Sequence, residues 1–366
     1  MSSRPDHLLA RRGGAVEWLR LPAFLMGAVT GVRNRMYDAG LLPTRWANLP
    51  VVSVGNLTVG GTGKTPMVAW VVKALKARGW NPGVLSRGYQ GDKHQGQGAE
   101  PTASGLNDEG QMFAAQFPGL PQVQMPDRVA GARQLEALGA NVIVLDDGFQ
   151  HRRLGREIDL VLVDATRPWG LPALHEGGEA VRAVLPRGLM REKAASLGRA
   201  SALVITRSDS LSPERLAALE AELQREAPGC ARLLGEHRPT ALRNGKQRLD
   251  PAELQNRPVR LLSGIGNPEA FERSARQLGA RIESVHAFPD HHAFSTQEIE
   301  GLPGDAQLLA TSKDSVKLEQ LGIPHLVLEV EFTLTRGDKV MNALLDALPH
   351  PSDSPRRQSP NLVQNG

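Results

Sequence analysis

Short apolar blocks alternate with longer stretches of helical spacing along most of this chain. Val51-Val52-Ser53-Val54 is a β-branched run with Gly55 after it, which predicts a buried strand. Met67, Val68, Trp70, Val71, Val72 and Leu75 then recur at helical spacing, and Gly79 is a natural helix stop. The same alternation returns at Pro82–Ser86, Val142–Leu145, Asp159–Asp164 and Ala202–Thr206, with helical patterns between several of them. Strands separated by helices predict an α/β fold, a mostly parallel sheet with helices on both faces. Past Leu211 the pattern changes to a charged helix, Pro213 to Glu226. Strand signals at Val259–Ser263 and Arg281–Val285, and a strand end turning into a helix at Ala310–Lys317, predict a second, smaller C-terminal α/β domain.

The first apolar cluster has a different character. Trp18, Leu19, Leu21, Phe24, Leu25, Met26, Val29 and Val32 lie between Arg20, Arg33, Arg35 and Arg45. The uncharged run from Leu21 to Val32 is short for a membrane span. An apolar face with basic flanks suits an amphipathic helix lying in an anionic interface; packing on the protein's own core is the alternative. The expected organisation is therefore a flexible N-terminus over 1–14, an interfacial helix over 15–45 and a phosphate-loop domain over 46–210. A C-terminal α/β domain over 211–350 and a disordered Pro/Ser/Asn-rich tail over 351–366 complete it. Residues Gln90 to Ser104 read as a mobile loop.

Composition narrows the function. A length of 366 residues exceeds what one compact core usually holds. The net charge of +4 suits an anionic substrate or a membrane surface without requiring nucleic acid, and 4% aromatics is too little for base-stacking platforms. Cys230 is the sole cysteine, so no intramolecular disulfide can form, which fits a reducing cytoplasm.

The candidate chemistry gathers at strand ends. After the first strand the chain reads Gly55-Asn56-Leu57-Thr58-Val59-Gly60-Gly61-Thr62-Gly63-Lys64-Thr65-Pro66. Strand, glycine turn and helix are the context of a phosphate-binding loop: Thr58 to Thr65 cradle the phosphates, Lys64 adds charge and Thr65 offers a hydroxyl to Mg²⁺. The strict pattern has Gly where this chain has Thr58, and a glycine-rich connection that binds nothing is the bland reading. A second strand end carries Asp146 and Asp147, candidate holders of Mg²⁺ or its waters; a solvated turn is the alternative. His286 to Phe294 is dense in histidine, but its spacing does not match a zinc site, and a general-base or orienting histidine fits better.

Thr58–Pro66, Ser86-Arg87-Gly88-Tyr89, Asn107-Asp108-Glu109, Asp146–His151, Asp290-His291-His292 and Thr311–Lys317 occur in this order. Together the set resembles the tetraacyldisaccharide 4′-kinase (lipid A 4′-kinase) family over about residues 15 to 345. The chain departs from the family pattern at Asn107, where Gly is usual, and within Pro186–Glu192, at Arg187 and Met190 among others. The resemblance implies a P-loop NTPase-like fold. It also implies transfer of the ATP γ-phosphoryl group to the 4′-hydroxyl of a tetraacylated glucosamine disaccharide 1-phosphate, with Mg²⁺. A monomeric peripheral enzyme on the cytoplasmic face of the inner membrane is expected. The roles it implies are Asp108 as base, His291 (with His292 as its rival) orienting Asp108, and Lys64 on the β/γ-phosphates. Thr65, Asp146, Asp147 and Glu109 fall to the metal, and Arg87, Tyr89, Arg191 and Glu192 to the substrate. A P-loop switch ATPase without a lipid substrate and a non-catalytic membrane module are the competing classes.

Overall fold

The computed structural model describes residues 5–88, 106, 108–171, 178, 180–290 and 292–350, with the side chains of 5–7 and 108 left out. Tyr89, Asn107, His291, the stretch Gln90–Ser104 and the tail 351–366 lie outside the described residues. The N-terminal elements are α1 (Pro5–Ala10) and α2 (Arg20–Asp38). Then follow β1 (Val51–Asn56), α3 (Lys64–Lys76), β2 (Pro82–Ser86), α4 (Asp108–Gln116), β3 (Gln122–Gln124), α5 (Arg128–Ala137), β4 (Val142–Asp146), β5 (Ile158–Asp164), β6 (Ala202–Thr206) and α6 (Pro213–Glu226). The C-terminal half contains β7 (Ala231–Asn244), β8 (Gln247–Leu249), β9 (Pro258–Ser263), α7 (Pro268–Gln277), β10 (Arg281–Ala287), α8 (Thr296–Glu300), β11 (Gln307–Thr311), α9 (Ser312–Gln320), β12 (His325–Arg336) and α10 (Asp338–Asp346).

Among the described residues these strands form one sheet in the order β10-β9-β11-β12-β7-β6-β5-β1-β4-β2-β3, with β8 paired to β7. Pairing is parallel except between β12 and β7 and between β7 and β8. Alternation along β1 explains the two covered faces. Val52 and Val54 pack with Met67, Val71 and Leu75 of α3 on one side, while Val51 packs with Ala132 and Leu135 of α5 on the other. The strands expected as a second α/β unit extend the same sheet: β7 and β12 pair antiparallel over their length and join β9–β11 to the phosphate-loop strands.

One helix is left half uncovered. Ala23, Gly27 and Asn34 of α2 are buried against the body, while Leu21, Phe24, Leu25, Val29 and Val32 are each more than half exposed. Two ion-pair sets hold it. The buried Glu192 accepts from Asn34 (2.8 Å), Arg33 (3.2 Å) and Arg199 (2.9 Å). At the other end Arg187, 1% exposed, donates to the carbonyls of Leu9 and Arg11 and to Glu17 at 2.6–2.8 Å. The Arg187 guanidinium, helped by the Gly13 amide, holds the Glu17 carboxyl down to about 2.

Candidate active site

β1 delivers Asn56 to the carboxyl edge of the sheet, and residues 57–63 turn the chain into α3, whose first residue is Lys64. Gly63 caps α3 in the left-handed region with φ 89°, and a Cβ there would meet the His237 ring at 2.5 Å. Thr58 needs no such freedom. It sits in an extended bridge with Met190, flanked by Val59 N–H to Leu189 O and Arg191 N–H to Leu57 O, both 2.8 Å. That pairing explains why the glycine of the strict pattern is dispensable at Thr58. The loop is pinned from below by Thr206 Oγ1 donating to Thr62 O (2.9 Å), Arg207 to Gly61 O (3.0 Å) and Asn56 Nδ2 to Thr62 Oγ1 (2.9 Å).

Lys64 Nζ lies 3.6 Å from Asp147 Oδ1 and 3.4 Å from Asn56 Oδ1. Thr65 Oγ1 donates to Glu109 Oε1 at 3.3 Å. Asp146 ends β4 and is 4% exposed, and its Oδ1 has no hydrogen-bond partner. Burial raises its carboxyl to about 7; the Glu109 and Asp147 charges add to this, and Lys64 and Arg128 oppose it. Asp147, at φ 54°, behaves in the opposite way. Burial alone would raise it, but Lys64 and Arg191 hold it below the usual carboxylate range, with Arg191 Nη1 2.8 Å from each Asp147 oxygen. Among the described residues no three His, Cys, Asp or Glu side chains form a ready-made metal cage. A buried carboxylate with an unpartnered Oδ1 at Asp146, together with the Thr65 hydroxyl and its partner Glu109, is a hard-oxygen donor set that fits a Mg²⁺ arriving with phosphate oxygens.

The other expected residues distribute unevenly. Asp108 is the first residue of α4, next to Glu109, and its side chain is outside the described atoms. Arg87 lies exposed just beyond β2, and its positive charge adds a little to the burial that lowers the pKa of Arg128. Tyr89 and His291 are outside the described residues. His292 Nε2 is 2.9 Å from Glu298 and its ring stacks on Phe288. Glu192 is 1% exposed, and its hydrogen bonds go to Asn34, Arg33 and Arg199 in the α2 anchorage. Arg187 is likewise an anchor for the N-terminal segment, and Met190 is the bridge partner of Thr58.

The structure adds cations that the sequence reading did not single out. Arg128, 2% exposed and opening α5, donates to Met125 O at 2.6 Å. Burial lowers it to about 10 against the opposing pull of Asp146 and Asp147. Lys313 of α9 is 2.9 Å from Asp290 and 3.8 Å from Glu109, which ties the C-terminal half to the start of α4. A cleft of about 680 Å³ opens between α2 and residues 181–194. Ala23, Gly27, Val184 and Met190 give it an apolar wall, and Arg20, Arg182 and Lys193 give it charge. Through Met190 it adjoins the phosphate loop.

Comparison with known proteins agrees with this geometry. Residues 16–349 match the family model LpxK, tetraacyldisaccharide-1-P 4′-kinase. The tetraacyldisaccharide 4′-kinase of Anaeromyxobacter sp. (strain K) is 39% identical, with 96% of each chain covered. That of Aeromonas hydrophila is 34% identical, with 91% of each covered. The crystal structure of LpxK from Aquifex aeolicus in complex with ATP superposes with a TM-score of 0.68 at 28% identity, covering 89% of this chain and 97% of that one. With the phosphate loop, the acidic pair and the matched length all in agreement, this chain belongs to the tetraacyldisaccharide 4′-kinase family.

Proposed function

We propose that this chain transfers the γ-phosphoryl group of ATP to the 4′-hydroxyl of a tetraacylated glucosamine disaccharide 1-phosphate, giving lipid IVA in lipid A synthesis. The observation that carries the reading is Lys64 at the end of the phosphate loop, 3.6 Å from Asp147 and beside the orphaned Asp146, in a chain of this family. The 4′-oxygen forms a bond to the γ-phosphorus, and the bond from that phosphorus to the β,γ-bridging oxygen breaks, leaving ADP. The hydroxyl proton goes to the Asp108 carboxylate, oriented by His291. Lys64 and the amides of residues 58–65 hold the β- and γ-oxygens. Thr65, Asp146, Asp147 and Glu109 are the residues that hold Mg²⁺, which neutralises phosphate charge when bound. Arg87, Tyr89 and Arg191 serve the sugar and the transferring phosphoryl group, and the charged, part-apolar cleft suits an acylated, phosphate-bearing acceptor.

The test is incubation with γ-labelled ATP and the acylated disaccharide, followed by lipid extraction. Label in the organic phase supports the kinase; label released only as inorganic phosphate supports the switch ATPase. Asp108→Ala lowers label transfer about a hundredfold or more while ATP binding persists. Full activity in that variant removes Asp108 from the base role.

The reading also makes the protein peripheral to the cytoplasmic face of the inner membrane. By length and composition the segment Gly14–Asp38 would reach across a bilayer. Its lengthwise packing through Ala23, Gly27 and Asn34 instead favours lying in the interface with the exposed face in the acyl layer. Leu21→Ser, Phe24→Ser and Val29→Ser together weaken binding to anionic vesicles by about three orders of magnitude or more, since each exchanged side chain forfeits roughly 1.5–3 kcal/mol of burial. Retained vesicle binding in a sedimentation assay refutes the interfacial placement.

A further inference from the structure

The turn that carries the acidic pair is held from two sides by guanidinium groups. On the inner side Arg156 donates to the carbonyls of Gly148 (2.6 Å) and His151 (3.2 Å), and Asp159 balances its charge at 3.4 Å. On the outer side the partner is the last part of α2. Arg33 donates to Gln150 O at 3.3 Å. Arg152 donates back to Asn34 O at 2.8 Å, pairs with Asp38 at 2.7 Å and lies over the Tyr37 ring at 5.1 Å. Gln150 itself reaches Asn56 O at 3.0 Å and accepts from Arg191 at 3.2 Å, the same Arg191 that grips Asp147. The last two turns of the apolar helix are thus one hydrogen bond from the backbone of the acidic turn and three, through Gln150 and Arg191, from the Asp147 carboxylate.

We infer that Arg33 and Arg152 are positioning residues for Asp147, so that the membrane-facing helix and the metal-holding turn form one mechanical unit. The inference rests on the proposed metal role of Asp146 and Asp147. A left-handed Asp147 followed by Gly148 is a conformation the chain does not keep unaided; its neighbours' carbonyls are fixed by Arg156 within the body and by Arg33 from the helix. Groups hydrogen-bonded directly to a metal ligand govern metal affinity by about 10–100-fold, and Arg33 and Arg152, which act further out, fall at the lower end of that range. The arrangement also makes the catalytic turn sensitive to how α2 sits on a bilayer.

The test uses the full chain and three variants: Arg33→Ala with Arg152→Ala, Asp38→Ala, and Asp146→Asn as reference. Binding of a non-hydrolysable ATP analogue is measured by calorimetry across a Mg²⁺ series, with vesicle sedimentation and the thermal midpoint in parallel. The double variant needs about tenfold more Mg²⁺ for half-maximal tightening of analogue binding, and it still binds anionic vesicles. Asp38→Ala, on the exposed helix end, loosens Arg152 without removing it and shifts Mg²⁺ dependence in the same direction by a smaller factor; it carries the test alone if the double variant does not fold. Unchanged Mg²⁺ dependence in the folded variants, with Asp146→Asn strongly shifted, overturns the inference and leaves the metal assignment standing. No shift in Asp146→Asn overturns the metal assignment itself.

Discussion

Lys64→Ala lowers kcat/KM for phosphoryl transfer by about three to four orders of magnitude, roughly 4–5 kcal/mol of transition-state stabilisation. The size follows from position. Lys64 is the first residue of α3, at the positive end of the helix, and its ammonium is mostly buried, so its charge is poorly screened. The loss acts twice. It removes the cation proposed for the β/γ-oxygens, and it removes a charge that holds down both Asp146 and Asp147. The carboxylates then bind protons more readily, so the residual activity of Lys64→Ala rises with pH over a range where the native enzyme is level. Lys64→Arg does not restore the rate, because a planar fork replaces a compact point charge in a space bounded by Asn56 and Asp147. Initial rates of label transfer across pH check both statements, and a loss of less than tenfold sinks the assignment.

What the sequence made legible follows the range of the interactions involved. The phosphate loop was readable because its signal is local: a β-branched strand, glycines, then Lys64-Thr65 at a helix start. The departure at Thr58 was unreadable, since its explanation is a bridge to Met190, far along the chain. Asp146 and Asp147 stood out as a strand-end pair, yet their opposite electrostatic behaviour depends on Glu109, Arg191 and Lys64 arriving from three other elements. Arg128 was overlooked because an arginine after a capping Asp127 looks like an exposed helix start; only the fold shows it 2% exposed beside the acidic pair. Arg191 and Glu192 were both assigned to the substrate through the family resemblance, and the resemblance could not show that neighbours on an extended stretch point apart: Arg191 turns to Asp147 and Glu192 to α2. The continuous sheet was equally hidden. Periodicity gives strands but not their order, and the long β7–β12 pairing that joins the two halves spans nearly a hundred residues of sequence.

Asp146→Asn lowers turnover by about two to three orders of magnitude and changes the stability of the protein in a pH-dependent way. The folded-state value of Asp146 is raised to about 7 from an ordinary 3.8, chiefly by burial and next by Glu109. Between these values the folded chain holds a proton that the unfolded chain has released. The native protein therefore loses stability as pH rises from about 4 to about 7, at up to ~1.4 kcal/mol per pH unit from this group, and the loss levels off above 7. Asparagine cannot ionise, so the variant lacks this slope and is the more stable of the two at pH 8 in the absence of divalent cations. Mg²⁺ with nucleotide reverses the order if Asp146 has the metal role proposed for it, because the ionised carboxylate that costs stability in the free enzyme is the form that binds a cation. Thermal midpoints of both proteins from pH 4 to 8, first with chelator and then with Mg²⁺ and a non-hydrolysable ATP analogue, measure each part. Parallel pH curves for native and Asp146→Asn protein with chelator present remove the buried, protonated Asp146 from the account. Equal Mg²⁺-dependent gains in the two remove it from the metal site.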